Sequence, residues 1–142
     1  MPHLTIDHSS NLSATGDLPG LCRKLAACLV EQRIDDRPVY PPGGVRVRAF
    51  AADAWCIADG SVDAAYVHAA LKIGAGRSEA TKRATGDALF ALMKAHFAGH
   101  YDRSGLALSL EIEEFGEAGI WKHNNVHARL ERTRSSTLPA SR

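Results

Sequence analysis

The sequence predicts an α+β fold in which a β-α-β unit occurs twice and the four strands form one sheet. The predicted elements follow the order strand, helix, strand, and the same order then repeats. Each predicted helix has a single apolar face, so one four-stranded sheet with both helices on the same side buries the two faces economically. We expect a single domain in residues 1–130, with halves at about 2–60 and 61–130. Residues 131–142 are expected to form a polar C-terminal tail.

The first half is predicted to begin with a strand at residues 2–8, followed by a helix. Apolar and polar residues alternate in this strand, which is the period of a half-buried strand. Asp17 suits the N-cap of the helix, and Pro19 lies in the first turn, where a missing N–H costs nothing. Apolar residues then recur every three or four positions from Leu18 to Leu29, which gives the helix one buried face.

A connection rich in proline and glycine, residues 35–44, separates this helix from the second strand. The second strand is predicted to begin at Val45 and to carry Arg46 and Arg48 on its polar face. Residues 53–62 are predicted to form a turn region that ends the first half.

The second half is predicted to repeat the pattern, beginning with a strand at residues 63–73. Ser78 is placed to cap a second helix. The apolar stripe of that helix consists of Gly86, Leu89, Phe90, Met93 and Phe97. Gly105 introduces a strand in which every second residue is apolar. We expect a short final strand within residues 121–130 and a frayed tail beyond it.

The second face of the predicted sheet also requires cover. Several of its residues are too small and apolar to face water as a group, namely Ala64, Tyr66, Ala70, Ala107 and Ser109. Self-association covers such a face, and a closed homo-oligomer is the usual form. We therefore expect a homo-oligomer.

Composition excludes several classes of function. The chain has 142 residues and a formal net charge of +1, so no overall field favours nucleic acid or an anionic membrane as a partner. No stretch approaches the roughly 18 apolar residues of a membrane span, and the N-terminus has no apolar signal segment. We expect a cytoplasmic protein that binds neither nucleic acid nor membrane.

Pro2 is a candidate catalytic base. Removal of Met1 would leave the secondary amine of Pro2 at the start of the chain. A neutral amine in an apolar pocket has a lowered pKa and can take a proton near neutral pH. Taken alone, Pro2 favours an ordinary first strand, where its missing N–H does no harm, so the case for a base depends on the other residues.

Three arginines are candidate anion-binding groups. Arg77 lies in the glycine-rich segment 74–78, where backbone donors and a helix N-terminus suit a carboxylate. Arg46 and Arg48 lie two residues apart on one strand and could bracket a dicarboxylate. A solvated turn and a solvent-facing arginine pair would give the same sequence. Combined with a terminal amine, however, the three arginines suit enolisation of a polycarboxylate.

The sequence predicts no metal site and no cofactor. The histidines do not form a zinc-binding set. The segment 74–78 lacks the Lys-Ser/Thr ending of a Walker loop and does not match a dinucleotide fingerprint. No serine lies in a nucleophile elbow.

Six motifs in the same order resemble one known family. They are Met1-Pro2-His3, Asp17-Leu18-Pro19-Gly20-Leu21, Gly43-Gly44-Val45-Arg46-Val47-Arg48, Ile57-Ala58-Asp59-Gly60, Leu71-Lys72-Ile73-Gly74-Ala75-Gly76-Arg77-Ser78 and Lys122-His123-Asn124-Asn125-Val126-His127-Ala128. From about Pro2 to Leu130 the chain resembles the 5-carboxymethyl-2-hydroxymuconate delta-isomerases of the tautomerase superfamily. Each motif is weak alone, but the set is specific.

The resemblance implies a homotrimer that isomerises a small polycarboxylate without a cofactor, in the breakdown of homoprotocatechuate. It implies that Pro2 is the general base and that Arg77 holds a substrate carboxylate. It further implies that Arg46 binds carboxylate or polarises the carbonyl, with Arg48 and Asn125 as substrate-binding residues.

Two features depart from the family pattern. The connection at residues 34–42 is longer and richer in proline, which could reshape a pocket wall and alter the substrate. The tail after Leu130 is an addition. Two alternatives therefore stay open: a hydratase, dehalogenase or promiscuous tautomerase of the same superfamily, and a non-catalytic trimer that binds an anion.

Overall fold

The computed structural model describes residues 1–137 and contains a four-stranded sheet of mixed direction. Its strands are β1 (His3–Ser9), β4 (Arg46–Ala52), β5 (Ala64–Gly74) and β6 (Gly105–Phe115). The order across the sheet is β4-β1-β5-β6. β1 is parallel to β4 and antiparallel to β5, and β5 is parallel to β6. The predicted α+β fold with two β-α-β units is confirmed.

The helices that cover the sheet are α1 (Leu18–Glu31) and α2 (Glu79–His96). A short helix, α3 (Ala98–Arg103), follows α2. The apolar stripes of α1 and α2 pack with alternate residues of β1 and β5 in one core, which includes the fully buried Leu4, Ile6, Leu21, Leu25, Leu71, Leu89 and Met93. Because these stripes share one core, both helices lie on the same face of the sheet.

Both predicted helix caps are present. The Asp17 side chain accepts a hydrogen bond from the backbone N–H of Gly20 at 3.1 Å. The Ser78 hydroxyl accepts one from the N–H of Thr81 at 3.1 Å. Each bond satisfies a donor that has no partner inside its helix, and the second fixes the start of α2 beside Arg77.

The connection between α1 and β4 contains a small hairpin. Its strands are β2 (Arg33–Ile34) and β3 (Arg37–Pro38), which pair antiparallel. The two turn residues, Asp35 and Asp36, have φ values of 49° and 62°. Left-handed conformation at both central positions is typical of the tight turns that join antiparallel strands.

The prediction of a short final strand within residues 121–130 is wrong. Residues 120–125 have no regular structure, and a fourth helix, α4 (Val126–Thr137), follows them. The side chain of Asn124 accepts a hydrogen bond from the N–H of Val126 at 2.7 Å, which favours helix initiation. Residues 131–137 of the predicted frayed tail belong to this helix, and residues 138–142 lie outside the described part.

The second face of the sheet carries hydrogen-bonded polar side chains. The Tyr66 hydroxyl donates to Asp7 at 2.7 Å, and His68 lies 2.7 Å from the hydroxyl of Ser109 and 3.1 Å from Glu111. Tyr66 is half-buried and Ser109 is exposed in the single chain. Cover by a partner subunit stays a prediction. Within residues 1–137, no helix is long and apolar enough to cross a membrane.

Candidate active site

Three of the predicted site residues lie at one end of the sheet. His3, the first residue of β1, pairs with Arg46 at the start of β4 and with Lys72 near the end of β5. Pro2 therefore lies beside Arg46, and its carbonyl accepts a hydrogen bond from the Arg46 N–H at 3.0 Å. Arg77 follows the end of β5 by three residues. The strand directions thus bring Pro2, Arg46 and Arg77 to the same end.

Arg46 is half-buried and its guanidinium group is held by backbone carbonyls. Nη1 donates to the carbonyl oxygens of Gly43 at 2.8 Å and Val45 at 3.0 Å. Gly43 belongs to the single 3₁₀ turn Pro42–Gly44 that precedes β4. The turn therefore fixes the positive charge of Arg46 next to the start of β1.

Arg77 is held by the connection between α1 and β4. Its Nη1 donates to the Gly74 carbonyl at 3.1 Å and its Nη2 donates to the Val39 carbonyl at 3.0 Å. The guanidinium carbon lies 4.7 Å from the ring centroid of Tyr40, which is a cation–π distance. These two hydrogen bonds use two of the five N–H donors of the guanidinium group, which leaves others for a ligand.

Tyr40 in turn is anchored in the core. Its side chain is fully buried, and its hydroxyl forms a hydrogen bond of 2.9 Å with the hydroxyl of Thr85 in α2. Arg77 also lines a cavity of about 690 Å³, together with residues of the β2–β3 hairpin. Arg77 therefore packs on the buried ring of Tyr40 and also lines an open cavity.

The amino group at the start of the chain lies in a positive environment. Burial lowers the pKa of the Met1 amine from its ordinary value, and the charges of Lys122, Arg77 and Arg46 lower it further. Lys122 also lines a cavity of about 330 Å³ together with Met1 and Gly44. With Met1 in place, the nitrogen of the buried Pro2 is part of a peptide bond and is not basic.

Arg48 and Asn125 lie further from this centre. Arg48 shares a face with Arg46, and its Nη1 donates to His3 Nδ1 at 3.1 Å. Asn125 is exposed. Its neighbour Asn124 lies against the start of the chain, with its Nδ2 atom 3.7 Å from the Met1 sulfur. The roles of Arg48 and Asn125 stay predictions.

Sequence reasoning did not single out Tyr40, Asn124 or Lys122. Asn124 and Lys122 belong to a motif that supported the resemblance, but nothing in the sequence shows that this segment folds back to residue 1. Tyr40 meets Arg77 only through tertiary structure. Within residues 1–137, no group of three His, Cys, Asp or Glu side chains is arranged to hold a metal ion.

Comparison with known proteins agrees with this architecture. The family model for 5-carboxymethyl-2-hydroxymuconate isomerase matches residues 2–130. A 5-carboxymethyl-2-hydroxymuconate Delta-isomerase from Escherichia coli is 44% identical over 128 residues, which are 90% of this chain and 98% of that protein.

Solved structures show the same relationship. The crystal structure of a 5-carboxymethyl-2-hydroxymuconate isomerase from Deinococcus radiodurans R1 superposes with a TM-score of 0.82 at 47% identity, covering 91% of this chain and 93% of that one. The wild-type W0 fused 4-OT, a symmetric trimer, superposes with a TM-score of 0.61 at 12% identity, covering 89% and 98%. The second likeness concerns the fold alone.

The paired β-α-β units define the tautomerase fold, and the family match and the curated relative define the chain as an isomerase. Within that class the relationship is specific, because the family match spans nearly the whole domain. The chain belongs to the 5-carboxymethyl-2-hydroxymuconate isomerase family.

Proposed function

We propose that the protein moves a proton within an unsaturated hydroxy or oxo polycarboxylate such as 5-carboxymethyl-2-hydroxymuconate, as in the breakdown of homoprotocatechuate. The base is the secondary amine of Pro2 after removal of Met1. This amine takes the proton of the dienol hydroxyl, the double bonds shift, and the resulting ammonium returns the proton to carbon. The product is a conjugated ketone with the same atoms as the substrate, and the reaction needs no cofactor.

The observation that carries this proposal is the cationic surrounding of the chain's first amine. Lys122, Arg77 and Arg46 all act on that amine and lower its pKa together with burial. We expect the same surrounding to lower the pKa of a Pro2 amine, which favours the neutral form that a general base requires. It also attracts a substrate that carries several carboxylates.

The arginines have separate roles in this proposal. Arg77 holds one substrate carboxylate, and Arg46 holds a second carboxylate or polarises the carbonyl that develops negative charge. Arg48 and Asn125 contribute to binding from the edge of the site. We further propose that the protein works as a homotrimer, since the fused 4-OT relative is a symmetric trimer and the second sheet face is not fully covered in one chain.

Two measurements test the base. Mass spectrometry of the purified protein should give a mass without the initiator methionine, and a retained Met1 would exclude the Pro2 amine. Pro2→Ala replaces the secondary amine with a primary one. Its kcat should fall by about tenfold or more, since a positioned acid–base group contributes about 10²–10⁴-fold. The assay follows the ultraviolet absorbance of the dienol.

Arg77→Ala tests the carboxylate site. Loss of charge-assisted hydrogen bonds to a carboxylate should lower kcat/KM about 10- to 100-fold. Arg83→Ala is the matched control, because Arg83 is an exposed arginine of α2 outside the site. Equal rates for Arg77→Ala and wild type would contradict the assignment.

A second candidate keeps the base and changes the reaction to hydration, dehalogenation or promiscuous keto-enol exchange. The β2–β3 hairpin favours it, because this hairpin walls the cavity beside Arg77 in a region where the sequence departs from the family pattern. Measuring the turnover of dienols and of halogenated acrylates in parallel distinguishes the two candidate functions. Release of halide from an acrylate at a rate that exceeds dienol turnover would favour the second candidate.

A further inference from the structure

The segment between β6 and α4 folds back over the start of the chain. The Nδ2 atom of Asn124 donates to the Gly43 carbonyl at 3.2 Å, the same oxygen that accepts from Arg46. Asn124 also contacts the Met1 sulfur at 3.7 Å. These contacts attach the segment to the end of the sheet where Pro2 and Arg46 lie.

Because of this attachment, Lys122 lines the 330 Å³ cavity that Met1, the first residue of the chain, also lines. The remaining lining residues are Met1, Pro41, Gly44, Asn124 and His127, so no acidic side chain faces the cavity. Lys122 is exposed, and none of the ion pairs among residues 1–137 involves it. Its ammonium group therefore has no carboxylate partner within the described residues.

The charge of Lys122 acts on the amino group at the start of the chain. After burial, its charge makes the largest contribution to the lowered pKa of the Met1 amine, ahead of Arg77 and Arg46. Lysine carries a compact charge on a flexible stem, which lets it follow a mobile anionic group. The two arginines, by contrast, are fixed by backbone carbonyls.

We propose that Lys122 is a further substrate-binding residue, whose ammonium group holds a carboxylate of the polyanionic substrate in the cavity above the start of β1. The proposal rests on the proposed isomerase function and adds a third cation to its site. A substrate with three carboxylates then has one cationic partner for each. The charge of Lys122 also lowers the pKa of the neighbouring N-terminal amine.

The test compares Lys122→Gln with Lys122→Arg in the dienol assay. We expect Lys122→Gln to raise KM about tenfold or more, as the loss of a hydrogen bond to a charged group implies. It should also move the acidic limb of the kcat/KM pH profile to higher pH, because a lost positive charge lets the amine hold its proton more tightly. Lys122→Arg retains the charge and should stay within about threefold of wild type.

Arg129→Gln is the matched control. It removes one positive charge from α4, and Arg129 is exposed and does not line the cavity. Its KM and pH profile should equal those of wild type. An unchanged KM in Lys122→Gln, or an equal change in Arg129→Gln, would overturn the role of Lys122.

A binding measurement separates this inference from the proposed function. Tricarballylate is an unreactive tricarboxylate, and its binding can be followed by isothermal titration calorimetry. We expect Lys122→Gln to weaken tricarballylate binding about tenfold relative to wild type and Arg129→Gln. If the wild-type protein isomerises the dienol and Lys122→Gln has the same KM and the same tricarballylate affinity as wild type, this inference alone is overturned. Wild-type protein that neither binds tricarballylate nor isomerises the dienol overturns the proposed function and this inference together.

Discussion

Gly43 is the position at which a single methyl group should disturb the whole candidate site. A Cβ atom there would lie 2.5 Å from Nδ1 of His127 and 2.8 Å from its backbone nitrogen. Ordinary contact begins at 3.4 Å, so the backbone of His127 must retreat by 3.4 − 2.8 = 0.6 Å. The Gly43 carbonyl holds both Arg46 and Asn124, so this movement acts on the groups around the chain start.

We expect Gly43→Ala to lower the free energy of unfolding by about 1–3 kcal/mol, the usual cost of overpacking. We also expect kcat/KM to fall about 10- to 100-fold, because displacements of about 1 Å at a catalytic site can cost about 100-fold. Urea-induced unfolding measures the first quantity, and steady-state kinetics with the dienol measures the second. All variants are compared at one protein concentration, since oligomer stability depends on it.

Gly86→Ala is the control for a glycine-to-alanine change away from the site. Its Cβ would meet only Ile112 Cδ1, at 3.5 Å, which is ordinary contact. Alanine is favoured over glycine inside a helix by about 0.5–1 kcal/mol, so this variant should unfold at equal or higher urea concentration with unchanged kinetics. If Gly43→Ala matches wild type in both assays, the close packing of α4 on the Pro42–Gly44 turn is refuted.

Two further predictions concern the supports of the site. Tyr40→Phe leaves the buried Thr85 hydroxyl without its partner and should cost about 1–3 kcal/mol of unfolding free energy, whereas adding Thr85→Val should recover most of the loss. A double variant as unstable as Tyr40→Phe alone would contradict this account. Burial, Arg48, the N-terminal amine and Arg46 lower the pKa of His3 below 6.5, so protonation of His3 opposes folding. Stability should therefore fall as the pH drops below about 6.5, and His3→Gln should reduce that fall in thermal unfolding between pH about 7.5 and about 5.5.

The fold was largely predictable because its signals are local. Alternation in β1 and the apolar stripe of α1 each depend on residues within one element, and Asp17 and Ser78 cap helices through contacts three residues away. α4 lacks such a signal. It has no fully buried residue, so neither a stripe nor alternation identifies it, and it is stabilised by packing on the distant Pro42–Gly44 turn.

The candidate site was predictable only in part, for the same reason. Pro2, Arg46 and Arg77 lie next to strand ends, which the predicted strands locate, but the strand directions that bring these ends together required the structure. Tyr40 and Thr85 are 45 residues apart, and Asn124 and Met1 are 123 apart. Hydrophobic periodicity carries no information about such pairs, so these contacts required the structure.

The antiparallel pairing of β1 and β5 is what unites the two halves of the chain at one site. β5 has 11 residues and is about 36 Å long at about 3.3 Å per residue, so parallel pairing would place Arg77 that far from Pro2. Arg77 is then bonded to Val39, which follows the β2–β3 hairpin. Changes in the length of this hairpin therefore alter the cavity wall beside Arg77, while Pro2, the proposed base, keeps its place at the start of β1. Under the proposed function, the same fold can thus vary its substrate and keep its proton-transfer chemistry.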